Sequence, residues 1–554
     1  MNRALRPTPA NAWSCQRVAV AGALAATLVG NWPLWRAVAG LDDYSVASRA
    51  ALVAALAFGS TALLVLLLSA LAWRATIRPA LGFVFVSTAL MAHFIGSYGV
   101  VIDPQMMRNA IQTDLREVRD LVGAGLVAHL LLLGVLPAAL VWRIPLAAQT
   151  WRRALLRNGL LAAGAIAIAL GSVFTDFADL ASLMRGRPEV RFMITPLNGF
   201  YALARQGGSA RARIAPPAPT PYATDATLAA RRRDAKPPLL LLVIGETARA
   251  DRFGVNGYGR DTTPELARRD VVSFAAVTSC GTDTASSLPC MLSLQDRDGH
   301  LALPAPQENL LDVLQRAGLA VLWLDNQSGC KGLCDRVPHA RLRDRRPPPP
   351  LCGPGGECFD AGLLHGLEER LAALDPVRRA RGVVLVLHPM GSHGPAYFAR
   401  TPAEHKPFLP ECRSVSLRSC DKAALDNTYD NTIAYTDHVL GLAIDWLARQ
   451  GDRYDPALFY VADHGESLGE HSIYLHGMPW RIAPREQTHV PWIVWWPAAT
   501  ARSSGVSLAC LQARRDAALT HSQLAHTTLA WMGVQTSAYR HAADAFAPCR
   551  ATAH

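Results

Sequence analysis

Five long apolar windows, all before residue 176, dictate the first thing this chain can fold into. Residues 17–39, 48–73, 80–102, 121–142 and 154–175 are dominated by Ala, Leu, Val and Gly and carry few charges. About 20 such residues suffice to cross a bilayer as a helix, so residues 1–175 are expected to form a transmembrane domain of five helices. The first window is not a cleavable signal peptide, because more spans follow and no small-residue cleavage site ends it. Cys15 is not a lipoprotein cysteine either, since no apolar run precedes it.

Charge in the short loops sets the orientation. Arg3, Arg6 and Arg17 precede the first span, Arg74 and Arg78 follow the second, and Arg143, Arg152 and Arg153 follow the fourth. These are expected to be cytoplasmic. The loop after the first span is acidic (Asp42, Asp43), and 103–120 is mixed. Five spans then put everything after Asp176 outside the cytoplasm. The cysteines agree. Of eleven, ten lie after residue 279, as the close pairs Cys280/Cys290, Cys330/Cys334, Cys352/Cys358 and Cys412/Cys420, with Cys510 and Cys549 besides. An even number at short spacing, with no C-x-x-C, fits disulfides in an oxidising compartment better than zinc fingers. The formal net charge of +11 suits an anionic partner. No nucleic-acid motif occurs, so membrane lipids are the expected partner.

Residues 176–236 form a bridge, in which "MITPLNGFYALARQ" has an amphipathic character suited to a membrane surface and "APPAPTPYA" reads as a linker. From 237 to 554 the composition is that of a soluble domain. Apolar runs at 239–244, 320–324, 382–387, 457–462 and 491–496 alternate with helix-like stretches such as 308–318 and 431–451. That alternation predicts an α/β fold with a largely parallel sheet.

In such sheets ligands gather at the carboxyl ends of the strands. Glu246 follows the first run, Ser328 and Lys331 follow the second, His388 and His393 the third, and Asp463 and His464 the fourth; "LHG" adds His476. Two carboxylates, a histidine and a hydroxyl would make a mixed O/N set suited to Zn²⁺. A "DHG" alone is weak, since Asp-His pairs often cap helices; its repetition at strand ends is what carries the reading. The stretch "SCGTDTASSLPC", 279–290, supplies hydroxyls on a loop that a disulfide would hold rigid. Chemistry alone does not choose among Thr282, Thr284, Ser286 and Ser287.

The motifs "VIGETARADRFGVNGYGRDTTPEL", "SCGTDTASSLPCM", "DNQSGCKGLC", "HPMGSHGPAYF", "YDNTIAYTDHVL" and "ADHGESLGE…YLHG" resemble, in order, the lipid A phosphoethanolamine transferases, which include the mobile colistin-resistance enzymes. The resemblance covers nearly the whole chain. It implies an alkaline-phosphatase-like (sulfatase-like) catalytic domain in the periplasm, on five helices in the inner membrane of a Gram-negative bacterium. It also implies transfer of phosphoethanolamine from phosphatidylethanolamine to a phosphate of lipid A in lipopolysaccharide. By the same matching Thr284 is the nucleophile, and Glu246, Asp463 and His464 with Thr284 are the zinc ligands. Ser328, Lys331, His393 and His476 match positions used around the phosphoethanolamine group, and in places for a second zinc.

In "MMRNAIQTDLREVRD", Asn109, Thr113 and Glu117 share one face at helical spacing. An amphipathic surface helix accounts for them equally well; in the resembled family an Asn, a Thr and a Glu at this spacing help form the lipid headgroup pocket. His388 and His438 match no role and are read as structural or surface groups. Asp283, beside the nucleophile, is left without one.

The implied mechanism is attack of Thr284 on phosphorus, with Zn²⁺ and Lys331 neutralising charge and His393 or His476 as acid or base. The chain is expected to act as a monomer. A sulfatase is disfavoured, because the near matches to C/S-x-P-x-R at Cys352 and Ser287 lack the arginine. A water-using phosphohydrolase, transfer to a core sugar or other glycan, and a catalytically dead binding module remain the alternatives.

Overall fold

The structure, a computed structural model, describes residues 11–42, 44–113, 115–174, 177–210, 218–230, 235–345, 347–352 and 358–550. Arg3, Arg6, Asp43, Asp176, part of the 215–223 linker and residues 353–357 of the proline-rich loop lie outside them. The chain forms two compact units, Met1–Ile111 with Leu121–Arg211, and Gln112–Asp120 with Ala212–His554.

In the first unit, Val46–Ala70, Ile77–Tyr98, Ala124–Arg143 and Trp151–Phe174 are each long and apolar enough to cross a membrane. Cys15–Gly30 and Trp32–Ala39, at 52° to one another, pass the same test only together, which brings the candidate spans among the described residues to five if the bent pair is one span. The break has a local cause. Pro33 stands at the start of the second segment, where its missing N–H costs no helical bond. Asn31 at the corner donates to Thr27 O and Thr195 O and accepts from Thr195 N. Close packing uses small residues, with Gly22 against Leu81 and Gly30 against Thr88. Leu197–Ala210 is helical, and Phe200 stacks on Phe83 of a span at 5.6 Å.

The 103–120 segment departs from expectation. It is two helices, Pro104–Gln112 and Leu115–Leu121, with Thr113 in neither. Asn109, Thr113 and Glu117 therefore do not share the face of one continuous helix.

The second unit is built on an eight-stranded sheet. Its strands are β1 Pro238–Gly245, β2 Val272–Thr278, β3 Ala320–Asp325, β4 His339–Arg341, β5 Val383–His388, β6 Asp455–Ala462, β7 His489–Trp495 and β8 Leu519–Thr520. Their order is β8-β2-β7-β6-β1-β5-β3-β4. From β6 to β4 every neighbour is parallel; β7 runs antiparallel to β6 and β2. All eight residues of β1 are buried, as a strand covered on both faces requires. The five apolar runs are all strands. Strand β2 was not anticipated, because "VSFAAVT" is interrupted by small and polar residues. Five disulfides join Cys280–Cys290, Cys330–Cys334, Cys352–Cys358, Cys412–Cys420 and Cys510–Cys549, and Cys15 is free and buried.

Candidate active site and metal centre

The carboxyl ends of β1, β6, β5 and β3 lie along one edge of the sheet, and the predicted residues emerge there. Glu246 directly follows β1 and is fully buried. Its Oε1 accepts from Thr247 Oγ1 at 2.6 Å and its Oε2 from Gln327 Nε2 at 3.0 Å. Asp463 directly follows β6. Its Oδ1 accepts from the backbone N–H of Thr247 at 3.1 Å and of His464 at 2.7 Å. Thr247 reaches it only by adopting a left-handed backbone, φ +57°. Gly391 closes the other side; a Cβ there would lie 2.7 Å from the carbonyl oxygen of Glu246.

His464 donates Nδ1–H to the carbonyl of Gly465 at 2.9 Å, which turns the lone pair of a neutral ring's Nε2 inward. That nitrogen stands 3.4 Å from Glu246 Oε1 and 3.5 Å from Asp463 Oδ2. Ligand atoms of Glu246, Asp463 and His464 all lie within 4.8 Å of one another. Asp463 Oδ2 is buried with no hydrogen-bond partner. An orphaned carboxylate oxygen beside a second buried carboxylate is costly unless a cation completes it, so these residues fit a divalent metal ion.

The protein's own field agrees. Burial and the charge of Glu246 push Asp463 up to about 6. Burial opposes charging of His464, but Asp463 and Glu246 raise it to about 10. Glu246, despite its burial, is held well below the usual carboxylate range by His464, His393 and His388. The site demands positive charge.

Thr284 begins the helix Thr284–Met291. Its Oγ1 lies 3.2 and 3.1 Å from the Glu246 oxygens and 3.4 Å from His464 Nε2. Two of the three competing hydroxyls are engaged elsewhere: Thr282 donates to Met478 O at 2.7 Å and Ser287 to Asp463 O. Asp283 is the helix N-cap, its carboxylate accepting from Ser286 N at 2.9 Å. Its charge is directed into the helix start, and so the residue left without a role acquires one.

Around this core lie the remaining predicted groups. Lys331 donates to Ser328 Oγ at 2.7 Å, Ser328 bonds to Gln327 Oε1, and Gln327 bonds Glu246, so lysine and candidate ligand are one chain of contacts. The ring of His476 is 4.4 Å from that of His464 and 5.4 Å from that of His393, and its Nδ1 is 3.2 Å from buried Glu466. Burial pushes His393 down to about 3, with Glu246 only partly opposing. Arg400 donates to the His393 carbonyl at 2.9 Å and pairs with Asp120 of the Gln112–Asp120 segment. His388 is fully buried, 3.0 Å from Asp325 and 3.9 Å from Glu246, while the ring of His438 lies 4.1 Å from that of His405, tilted by 32°. Sequence reasoning missed Thr247, Gln327 and Glu466. The first two are uncharged, and Glu466 sits inside "DHGESLGE", where nothing in the spacing separates it from its neighbours.

Comparison with known proteins follows the same division. The phosphoethanolamine transferase EptA/EptB family profile matches residues 60–209, and the Sulfatase profile matches residues 238–534. The chain is 37% identical over 484 residues to phosphatidylethanolamine transferase Mcr-1 of Escherichia coli, covering 86% of this chain and 87% of that protein. It is 40% identical over 481 residues to phosphoethanolamine transferase EptA of Salmonella typhimurium, covering 84% of each. The chain belongs to the phosphoethanolamine transferases. A solved member, the integral membrane lipooligosaccharide phosphoethanolamine transferase A (EptA) from Neisseria meningitidis, matches with a TM-score of 0.90 at 32% identity, over 96% of this chain and 98% of that one.

Proposed function

We propose that this transferase moves phosphoethanolamine from phosphatidylethanolamine to a phosphate of lipid A, with Thr284 as the nucleophile. The observation that carries the reading is the Thr284 hydroxyl, held against both Glu246 and His464 while the hydroxyls of Thr282 and Ser287 are spent on carbonyls. Zn²⁺ is the ion the O/N donor set suits, with Glu246, Asp463, His464 and Thr284 to hold it. When bound, it supplies charge that lowers the pKa of a neighbouring hydroxyl and stabilises phosphoryl oxygens.

The chain's residues then act as follows. Thr284 Oγ, its proton lost, attacks phosphorus in line. The P–O bond to diacylglycerol breaks and the leaving oxygen takes a proton, leaving a phosphoethanolamine-threonine. Lys331, held by Ser328, places a positive charge on the phosphoryl oxygens. A phosphate oxygen of lipid A next attacks the same phosphorus, and Thr284 regains its proton. His476, backed by Glu466, is the group to carry protons; His393, held neutral by burial, acts as a hydrogen-bonding partner. Asn109, Thr113 and Glu117 take part in holding the lipid headgroup. The protein acts as a monomer in the inner membrane of a Gram-negative cell, with residues 237–554 in the periplasm, where membrane anchoring concentrates both lipid substrates.

Mass spectrometry of lipid A from a lipopolysaccharide-bearing host tests this, comparing the intact protein with Thr284→Ala. A phosphoethanolamine increment that vanishes in the variant is expected. Unmodified lipid A with continued phosphatidylethanolamine turnover would place the acceptor on a core sugar or another glycan instead.

A further inference from the structure

The nucleophile loop carries its own staple, the Cys280–Cys290 disulfide, but that bond joins the loop only to the helix that follows it. It cannot alone decide where Thr284 stands relative to Glu246, Asp463 and His464, which follow two other strands. One fully buried side chain that no step above uses links these parts. His521 follows the short strand β8, which pairs in parallel with Val277 and Thr278 of β2, and its backbone N–H donates to Thr278 O at 3.1 Å. That sets the ring against the start of the loop. Its Nδ1 accepts from the N–H of Cys280 at 3.1 Å, and its Nε2–H donates to the carbonyl of Ala462 at 2.9 Å. Ala462 is the residue before Asp463. In the helix after the loop, Ser287 Oγ donates to the Asp463 carbonyl and lies 3.3 Å from His521 Nδ1, the nitrogen that faces Cys280.

These partners leave one usable form of the ring. A backbone N–H needs a bare Nδ1, and a carbonyl needs a proton on Nε2. The neutral Nε2–H tautomer satisfies both, whereas an imidazolium would face the Cys280 N–H with a second proton. Burial keeps the ring neutral.

We propose that His521 is a positioning residue for the transfer reaction: it fastens the nucleophile loop at Cys280 to the strand end at Ala462–Asp463, and so sets Thr284 against Glu246 and His464. It touches neither substrate nor the ligand atoms of the metal site. The proposal rests on Thr284 being the nucleophile. Misplacing a reacting group by roughly 1 Å costs on the order of 100-fold in rate.

The test uses the full-length protein in detergent, zinc-loaded, with a fluorescent phosphatidylethanolamine as substrate. His521→Phe fills the ring's space but makes neither bond. His521→Asn can still accept from Cys280 N–H, and His521→Gln can still donate to Ala462 O. The expected result is a kcat lowered about 100-fold in His521→Phe, with KM and zinc content unchanged, and partial recovery in the Asn and Gln variants. A kcat within threefold of wild type in a folded His521→Phe overturns the proposal. So does a loss that comes with lost zinc and no recovery in the Asn and Gln variants, which marks a general packing defect. Where the Phe variant fails to fold, wild-type kcat in both amide variants overturns it and intermediate kcat in both supports it. Thr284→Ala runs in parallel. Activity in that variant overturns the nucleophile reading itself, whatever His521 does, while an inactive Thr284→Ala beside a fully active His521→Phe removes only the positioning claim.

Discussion

The two units of this molecule use the same apolar residues in opposite ways. In the first, Leu131, Leu132, Leu156 and Leu160 point outward, and Leu132 is 63% exposed. In the second, every residue of β1 and β5 is buried. The difference is the solvent. Lipid offers the spans no hydrophobic drive to associate, so they meet through small residues and polar contacts such as the buried Thr27–Thr61 hydroxyl pair at 2.6 Å. Water drives the second unit to bury its central strands, β1, β3 and β5, completely, and that rigid sheet is what a reaction centre needs. Every ligand candidate stands within a residue or two of a fully buried strand or at the start of a helix, so its placement follows from the core.

Several substitutions would break or sharpen this contrast. The largest effect is expected at the site: Thr284→Ala lowers transfer by about 10⁴-fold or more, measured as phosphatidylethanolamine turnover, with the melting behaviour of both units unchanged. In the sheet, Leu241→Ala, wholly buried in β1, costs about 2–5 kcal/mol of stability by denaturant unfolding of the second unit.

Metal affinity gives the next test. Gln327→Ala frees Glu246 from the Lys331–Ser328 chain, and a loss of about 10–100-fold in zinc affinity is expected, read by competition with a chromophoric chelator. The same assay has a signed pH dependence. His464 at about 10 and Asp463 at about 6 both lie above their ordinary values in the metal-free protein, so each holds a proton below that pH. Binding must displace them. Affinity therefore falls with falling pH, and falls more steeply where both groups hold a proton. The smallest effects belong to the first unit: Thr27→Val is expected to cost only about 0.6 kcal/mol, and Leu132→Ala close to nothing in stability. A multi-kcal/mol loss at Leu132 would contradict the lipid-facing assignment.

What could be read beforehand follows the same divide. Apolar runs long enough to span a bilayer or fill a buried strand announce themselves, and the groups after each run were legible because parallel strands bring their ends together. Interrupted patterns were not. Strand β2 alternates too weakly, and the first span conceals its bend at Asn31 behind continuous hydropathy. The expected single helix through Asn109, Thr113 and Glu117 is broken after Gln112. Within the site, titratable residues stood out, while Gln327 and Thr247 matter through hydrogen bonds that only the folded geometry creates. The choice of Thr284 over Thr282, Ser286 and Ser287 came from resemblance. Its physical counterpart is where each hydroxyl points, and no spacing encodes that.

The most direct test of the account is peptide mapping of the protein after incubation with phosphatidylethanolamine in the absence of acceptor. Mass spectrometry of the peptide containing residues 279–290 is expected to find phosphoethanolamine attached at Thr284, and lost when lipid A is added. Attachment at Thr282, Ser286 or Ser287, or turnover with no adduct on this peptide, would contradict it.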